Sequence, residues 1–200
     1  MRNSDPRRCL KSAASLLASL LLSGCISASP RAMYELSKFD PFTADPRGIA
    51  VAVQTDRNLR LRTGDVILQV ALDSPDKAYT FDETFLLALT EGATDPRFTA
   101  KVERNDHIIV AAFAEADIAR YEWAQSRARA AKAAGKSASK GSLTVGVRGG
   151  CRADGPLDDG TRIRTYMRTG SESGYFPLTG DMALKAMLGA GTLAGIPPCA

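Results

Sequence analysis

Few residues of this chain have the means to catalyse, ligate or crosslink: four cysteines, one histidine and a scatter of carboxylates. His107 would have to supply the base of any Ser-His-Asp or Cys-His arrangement. No Gly-x-Ser-x-Gly nucleophile motif accompanies it, and a histidine beside a strand turn is ordinarily just solvated. Gly135-Lys136-Ser137 carries the last three letters of a phosphate loop, but the earlier glycine is missing and the segment follows a helical stretch rather than a strand. Asp82-Glu83 falls in an alternating segment, which sends the two carboxylates to opposite faces. Asp158-Asp159 lies in Asp154-Gly155-Pro156-Leu157-Asp158-Asp159-Gly160. Oxygen ligands from such a turn suit calcium, but the spacing is not that of an EF-hand, and Asp and Gly are the ordinary makers of turns. The sequence therefore points to no catalytic residue, no metal set and no cofactor.

The strongest charged feature is the run Arg120, Arg127, Arg129, Lys132, Lys136 and Lys140, opposed between positions 120 and 140 by Glu122 alone. Such a run suits anionic lipid headgroups or an acidic partner. It equally suits a solvated helix whose C-terminal end places cations against the helix dipole. Trp123 on the same stretch is an interface residue if exposed and a core residue if not. Arg120, Trp123, Arg127, Arg129 and Lys132 are accordingly the expected contact set for a partner or a membrane.

The cysteines are read from the chain's beginning. Arg2, Arg7, Arg8 and Lys11 form a positive region, and Ser12 to Leu22 is an uncharged run dominated by Leu16, Leu17, Leu20, Leu21 and Leu22. That run is shorter than the roughly 20 apolar residues a spanning helix needs, and it has the form of the core of an export signal. Leu22-Ser23-Gly24-Cys25 follows directly. These residues resemble the lipobox of bacterial lipoproteins, a resemblance covering the first 25 positions. It implies cleavage before Cys25, acyl chains on its thiol, and a mature chain held on a membrane by them. Ile26, rather than Asp, after the cysteine implies the outer membrane, facing the periplasm. Arg7-Arg8-Cys9-Leu10-Lys11 is similar to a twin-arginine export motif, so both export routes stay open.

With Cys9 removed with the signal and Cys25 acylated, Cys151 and Cys199 remain in a compartment that permits disulfides. The expectation is that they pair and pin the C-terminus, closing a loop of roughly 49 residues. Two free thiols are the alternative. No His or Cys lies near enough in sequence to complete a zinc site.

The formal charge of +4 is misleading. Setting aside positions 1–24 leaves 22 basic and 21 acidic residues, a net of +1, which removes the main support for a nucleic-acid partner. The remaining 176 residues are enough for one domain with a core of its own.

The elements follow from periodicity. Positions 25–47 read as a lipidated tether whose Ser27, Ser29, Pro30, Pro41 and Pro46 disfavour long regular structure. Its second half, with Met33, Tyr34, Leu36, Phe39 and Phe42, is expected to lie against the domain. From position 48 the period is two. Ile49, Val51 and Val53 make one strand, and residues 66–72 a second. Tyr79, Phe81, Phe85, Leu87 and Leu89 make a third, with Glu83 out of pattern. Phe98, Ala100 and Val102 are expected to turn at Asn105-Asp106 and return through Ile108, Val110 and Ala112. Residues 115–134 predict a helix with Ile118, Tyr121, Ala124 and Ala128 on its apolar side, ended by Gly135. Strands resume at Leu143, Val145 and Val147 and at Ile163, Thr165 and Met167. Asp181 to Leu188 predicts a short helix.

The fold class is therefore mainly β: an antiparallel sandwich, immunoglobulin-like or similar, over positions 48–200 with one inserted helix at about 115–134. The organisation resembles small uncharacterised lipoproteins of Gram-negative envelopes. The expected function is a non-enzymatic interaction or assembly module of the envelope, meeting the membrane through Cys25 and another envelope protein or a glycan through its surface. A small-ligand or glycan-binding protein is the alternative, and a carboxylate-based hydrolase a third reading.

Overall fold

A computed structural model describes residues 29–91, 95–135, 138–187 and 193–200. These residues form eleven strands and three α-helices. The N-terminal part holds α1 (Pro30–Lys38), β1 (Ile49–Asp56), β2 (Leu59–Arg60), β3 (Val66–Asp73), β4 (Phe81–Leu86), β5 (Ala88–Glu91) and β6 (Asp106–Ala112). Then come α2 (Glu115–Ala133), β7 (Lys140–Val147), β8 (Cys151–Arg152), β9 (Arg162–Thr169), β10 (Phe176–Pro177), β11 (Met182–Ala183) and α3 (Leu184–Met187). All strand pairings are antiparallel. The larger sheet runs β10-β9-β1-β6-β5, with β11 also on β9; β4-β3-β7 is a second sheet, and β2-β8 a small third. The chain is thus a mainly β, antiparallel sandwich with α2 inserted between β6 and β7.

The central strand explains the layering. Ile49, Val51 and Val53 of β1 join Val66, Leu68, Val70 and Leu72 of β3 in one buried cluster with Phe81, Phe85, Ile163 and Met167. These are the inner faces of the two sheets. Ala50 and Ala52 point the other way and are just as buried, beneath Tyr166, Tyr175 and partly buried Phe98. The larger sheet is therefore covered on both sides, which the small alternating residues of β1 permit. Phe85 is fully buried and meets Phe113 and Tyr121 edge-on at 5.1 and 5.6 Å between ring centroids. Truncating such a ring to alanine costs about 3–5 kcal/mol.

Three expectations are corrected. The alternating run from Tyr79 to Leu89 is not one strand: Lys77–Tyr79 is a 3-10 turn, β4 pairs with β3, and β5 pairs with β6 of the other sheet. Leu87, buried at the break, is where the chain passes between sheets. Residues 98–102 form no strand. Phe98 instead packs on Tyr166 and Tyr175 at 4.8 and 5.7 Å, so this segment roofs the outer face of the larger sheet and the partners of β6 are β1 and β5. Residues 181–187 divide into β11 and α3, because Asp181 pairs with Arg162 and Arg164 rather than capping a helix. The end expected at Leu188-Gly189 lies outside the described residues.

The segment before β1, expected to hold no long regular structure, contains the nine-residue α1 and a 3-10 turn at Pro46–Gly48. Each starts on its proline, the one helical position where a missing N–H costs nothing. Each is capped by the preceding side chain: Ser29 Oγ accepts from the Ala32 N–H at 3.0 Å, and Asp45 Oδ1 from the Arg47 N–H at 3.0 Å.

Candidate functional site

Helix α2 carries Glu115 and Asp117 in its first turn and Lys132 in its last, the charge order its dipole favours. Ile118, Tyr121, Ala124, Gln125, Ala128 and Ala131 form its buried side. The three alanines let its second half come close to the sheet. Tyr121, Gln125 and Arg129 then make one stripe at four-residue spacing, and all three side chains grip the same stretch of backbone. The Tyr121 hydroxyl donates to the Pro41 carbonyl at 2.8 Å. The Gln125 amide donates to the Pro41 and Ala44 carbonyls at 2.9 and 2.7 Å. Arg129 donates to the Phe42 carbonyl at 2.8 Å. Burial pushes the Tyr121 phenol well above its ordinary range, so it stays a donor.

The held segment is itself a turn: the Thr43 and Ala44 N–H groups donate to the Asp40 carbonyl, and the Phe42 N–H to the Asp40 carboxylate at 2.9 Å. Phe42 lies over β7 at Gly141, where a Cβ would come within 2.9 Å of the ring. Phe42, Phe81 and Trp123 form an edge-on chain with centroid separations of 6.4 and 6.1 Å.

Between this turn, the last two turns of α2, the end of β3 and the start of β7 lies a cleft of about 750 Å³. Buried Leu72, Ala128 and Ala131, with half-buried Phe42, give it apolar walls, while exposed Asp40, Arg129 and Lys132 supply charge. The Lys132 side chain makes no ion pair or hydrogen bond among the described residues.

The expected contact residues divide. Arg129 and Lys132 line the cleft. Trp123 is 45% exposed on the same helix, and the Arg127 guanidinium stacks over its ring at 5.2 Å, with a buried Nε that has no partner among the described residues. Arg120 is engaged inside the domain. It donates to Glu83 at 2.8 Å, to Asp117 at 3.0 Å and to the Thr84 carbonyl at 3.0 Å, and it stacks over Phe85 at 4.1 Å. Those contacts explain Glu83, the residue out of pattern: it sits on the inward face of β4 opposite Val70, neutralised by Arg120.

The other candidates make contacts within the domain. Asp82 turns to the opposite face, where its carboxylate accepts from Gln69 at 2.6 Å. The His107 ring nitrogen Nε2 bonds to the Leu59 carbonyl at 2.9 Å, and burial lowers its affinity for a second proton. Asp158 organises its own turn, its carbonyl accepting from the Thr161 N–H at 2.9 Å. No group of three or more metal-ligating side chains occurs among the described residues. Cys151 and Cys199 form a disulfide, with an S–S distance of 2.06 Å. Cys25, Lys136 and Ser137 lie outside the described residues; Gly135 ends α2 with a φ of 71°.

Sequence reasoning missed Gln125, which holds the turn, and Asp40, Thr43 and Ser139, which line the cleft. A buried glutamine at four-residue spacing from a tyrosine and an arginine was the available signal. Among the described residues no helix is long and apolar enough to cross a membrane. No family model, no curated protein and no solved structure matches the chain.

Proposed function

We propose that this chain is a lipoprotein of the bacterial envelope, anchored through Cys25 to the periplasmic side of the outer membrane, and that it acts as a non-enzymatic binding module. The surface in question is the second half of α2 and the cleft beside it. The observation that carries this reading is that one helix bears exposed Trp123, Arg129 and Lys132 and half-buried Arg127, with Arg129 and Lys132 lining an apolar cleft. Exposed aromatics and arginines are the residue types that anchor protein contacts. The two cations outnumber Asp40 and favour an acidic segment. The Cys151–Cys199 disulfide fits an oxidising compartment.

Because Tyr121, Ala124, Ala128 and Ala131 belong to the core, α2 cannot be removed without opening the domain. The test therefore uses exposed positions. Crosslinking in intact cells, followed by mass spectrometry, is compared for the parent and for a Trp123→Ala, Arg129→Glu, Lys132→Glu variant with an unchanged thermal midpoint. Loss of a reproducible protein neighbour supports the reading; identical recovery removes α2 from it.

A second reading is binding of a small ligand or glycan in the cleft, favoured by its size, since ligand pockets are about 300–1,000 Å³. A thermal-shift screen that stabilises the parent but not the Arg129→Glu variant would support this reading over a protein partner.

A further inference from the structure

We infer that the outward side of α1 is a membrane-contact surface, seated among the anionic headgroups of the bilayer that holds Cys25, so that the domain is oriented on the membrane as well as tethered to it. The inference rests on the acylation of Cys25 proposed above.

Three observations carry it. Met33 and Tyr34 are the most exposed large hydrophobic side chains among the described residues, at 65% and 60%. With Ser37 and Lys38 they share one side of α1, while Ala32 is fully buried and Leu36 packs against the core on the other. The helix covers its domain with one side and on the other presents two large apolar side chains flanked by cations, a combination that suits an interfacial helix.

The charge on that side is complementary to phospholipid. Arg31 and Lys38 are exposed, and the Lys38 ammonium lies 3.6 Å from the centroid of the Tyr34 ring. A tyrosine with a polar tip beside a snorkelling lysine is suited to the headgroup layer, where ring and methylenes lie below the charges.

The position in the chain limits what can cover this face. Ser29 is four residues beyond Cys25, a reach of roughly 14 Å even when fully extended. Ser29 Oγ donates to the Pro177 carbonyl of β10 at 2.8 Å, so the start of α1 is fixed to the sheet. Acyl chains on Cys25 would therefore bring a bilayer to within a few residues of Met33 and Tyr34. Acyl chains alone leave a protein free to swivel, and a second, rigid contact removes that freedom.

The test uses the full mature, acylated protein in vesicles of phosphatidylethanolamine and phosphatidylglycerol. A nitroxide is placed by Tyr34→Cys in α1 or, as a reference, by Glu122→Cys in α2. The expected result is that the label at position 34 is shielded from an aqueous nickel chelate and reached by dissolved oxygen, while the label at 122 is open to nickel. Equal nickel access at both positions, with acyl chains present in the mass spectrum, overturns the inference and leaves the anchor intact. A shielded 122 with an open 34 overturns it in favour of α2 as the membrane face. An unmodified Cys25 overturns this inference and the anchor together.

Discussion

Arg168 Nη1 lies 3.2 Å from Asp95 Oδ2 on the outer side of the larger sheet, each side chain only 9% exposed. Arg168 also donates to the Gly48 carbonyl at 3.1 Å, and the Tyr175 hydroxyl donates to Asp95 at 3.1 Å. Asp95 thereby clips the roofing segment to β9 at the point where it enters. Its carboxyl is held down at about 2, first by the Arg97 guanidinium, against the opposing effect of burial, and further by the Arg97 N–H and the Tyr175 hydroxyl. A depressed carboxyl contributes stability above its ordinary value of 3.8, and that contribution is lost as the pH falls through about 2. Asp95→Asn is predicted to cost about 2 kcal/mol at neutral pH. Urea unfolding should show the variant and parent converging as the pH approaches 2.

His107 gives a slope in a different window. Burial is the largest cause of its lowered proton affinity, so the unfolded chain takes up the proton more readily than the folded one. Stability is then full above about pH 6.5 and falls as the pH drops towards the folded value. Unfolding of the parent at roughly pH 7 and pH 5 should differ by more than that of His107→Gln.

Gln125 holds two carbonyls that have few other donors. Gln125→Leu is predicted to destabilise by about 1–3 kcal/mol, because the Ala44 carbonyl loses its side-chain donor and the Pro41 carbonyl keeps only Tyr121. Arg129→Ala, which removes an exposed donor, should cost less than about 1 kcal/mol. Hydrogen exchange across residues 40–44 should rise in the first variant more than in the second.

Cys199→Ser removes a crosslink spanning 48 residues, a loss of about 4 kcal/mol on the chain-entropy account. The effect should be read as a lower denaturant midpoint. Amide exchange should rise first at residues 193–200 and at Arg152, whose N–H and carbonyl bond to Pro197 and Cys199.

The parts of this fold legible in the sequence are those written in local patterns. The bounds of α2 emerge from Ala, Arg and Glu content and from Gly135. The cysteine pair emerges from the small number of available thiols. Alternation marks β1, β3, β7 and β9. What alternation cannot say is which neighbour a strand will find. Phe81 and Leu89 share one rhythm yet belong to different sheets, because their partners β3 and β6 are set by distant packing. Alternation picks out Ile49, Val51 and Val53 but is silent on Ala50 and Ala52, since nothing nearby in sequence announces that Phe98, Tyr166 and Tyr175 will cover them. The candidate cleft was half legible for a similar reason. Arg129 and Lys132 stand out as charges, but the turn that faces them is recognised through the carbonyls of Pro41, Phe42 and Ala44, and a carbonyl leaves no mark in a sequence.

The pairing of β1 has a consequence for how the chain comes to exist. Ile49 is paired with Thr169, and Asp56 with Asp106, so both neighbours of the central strand are made long after it. Contacts this remote in sequence slow folding, because the intervening loop must close before the contact is gained. On a ribosome the larger sheet cannot be completed until β9 and β10 have emerged. Until then β1 lacks one of its two neighbours, and the nascent polypeptide stays open to whatever handles unfolded chains.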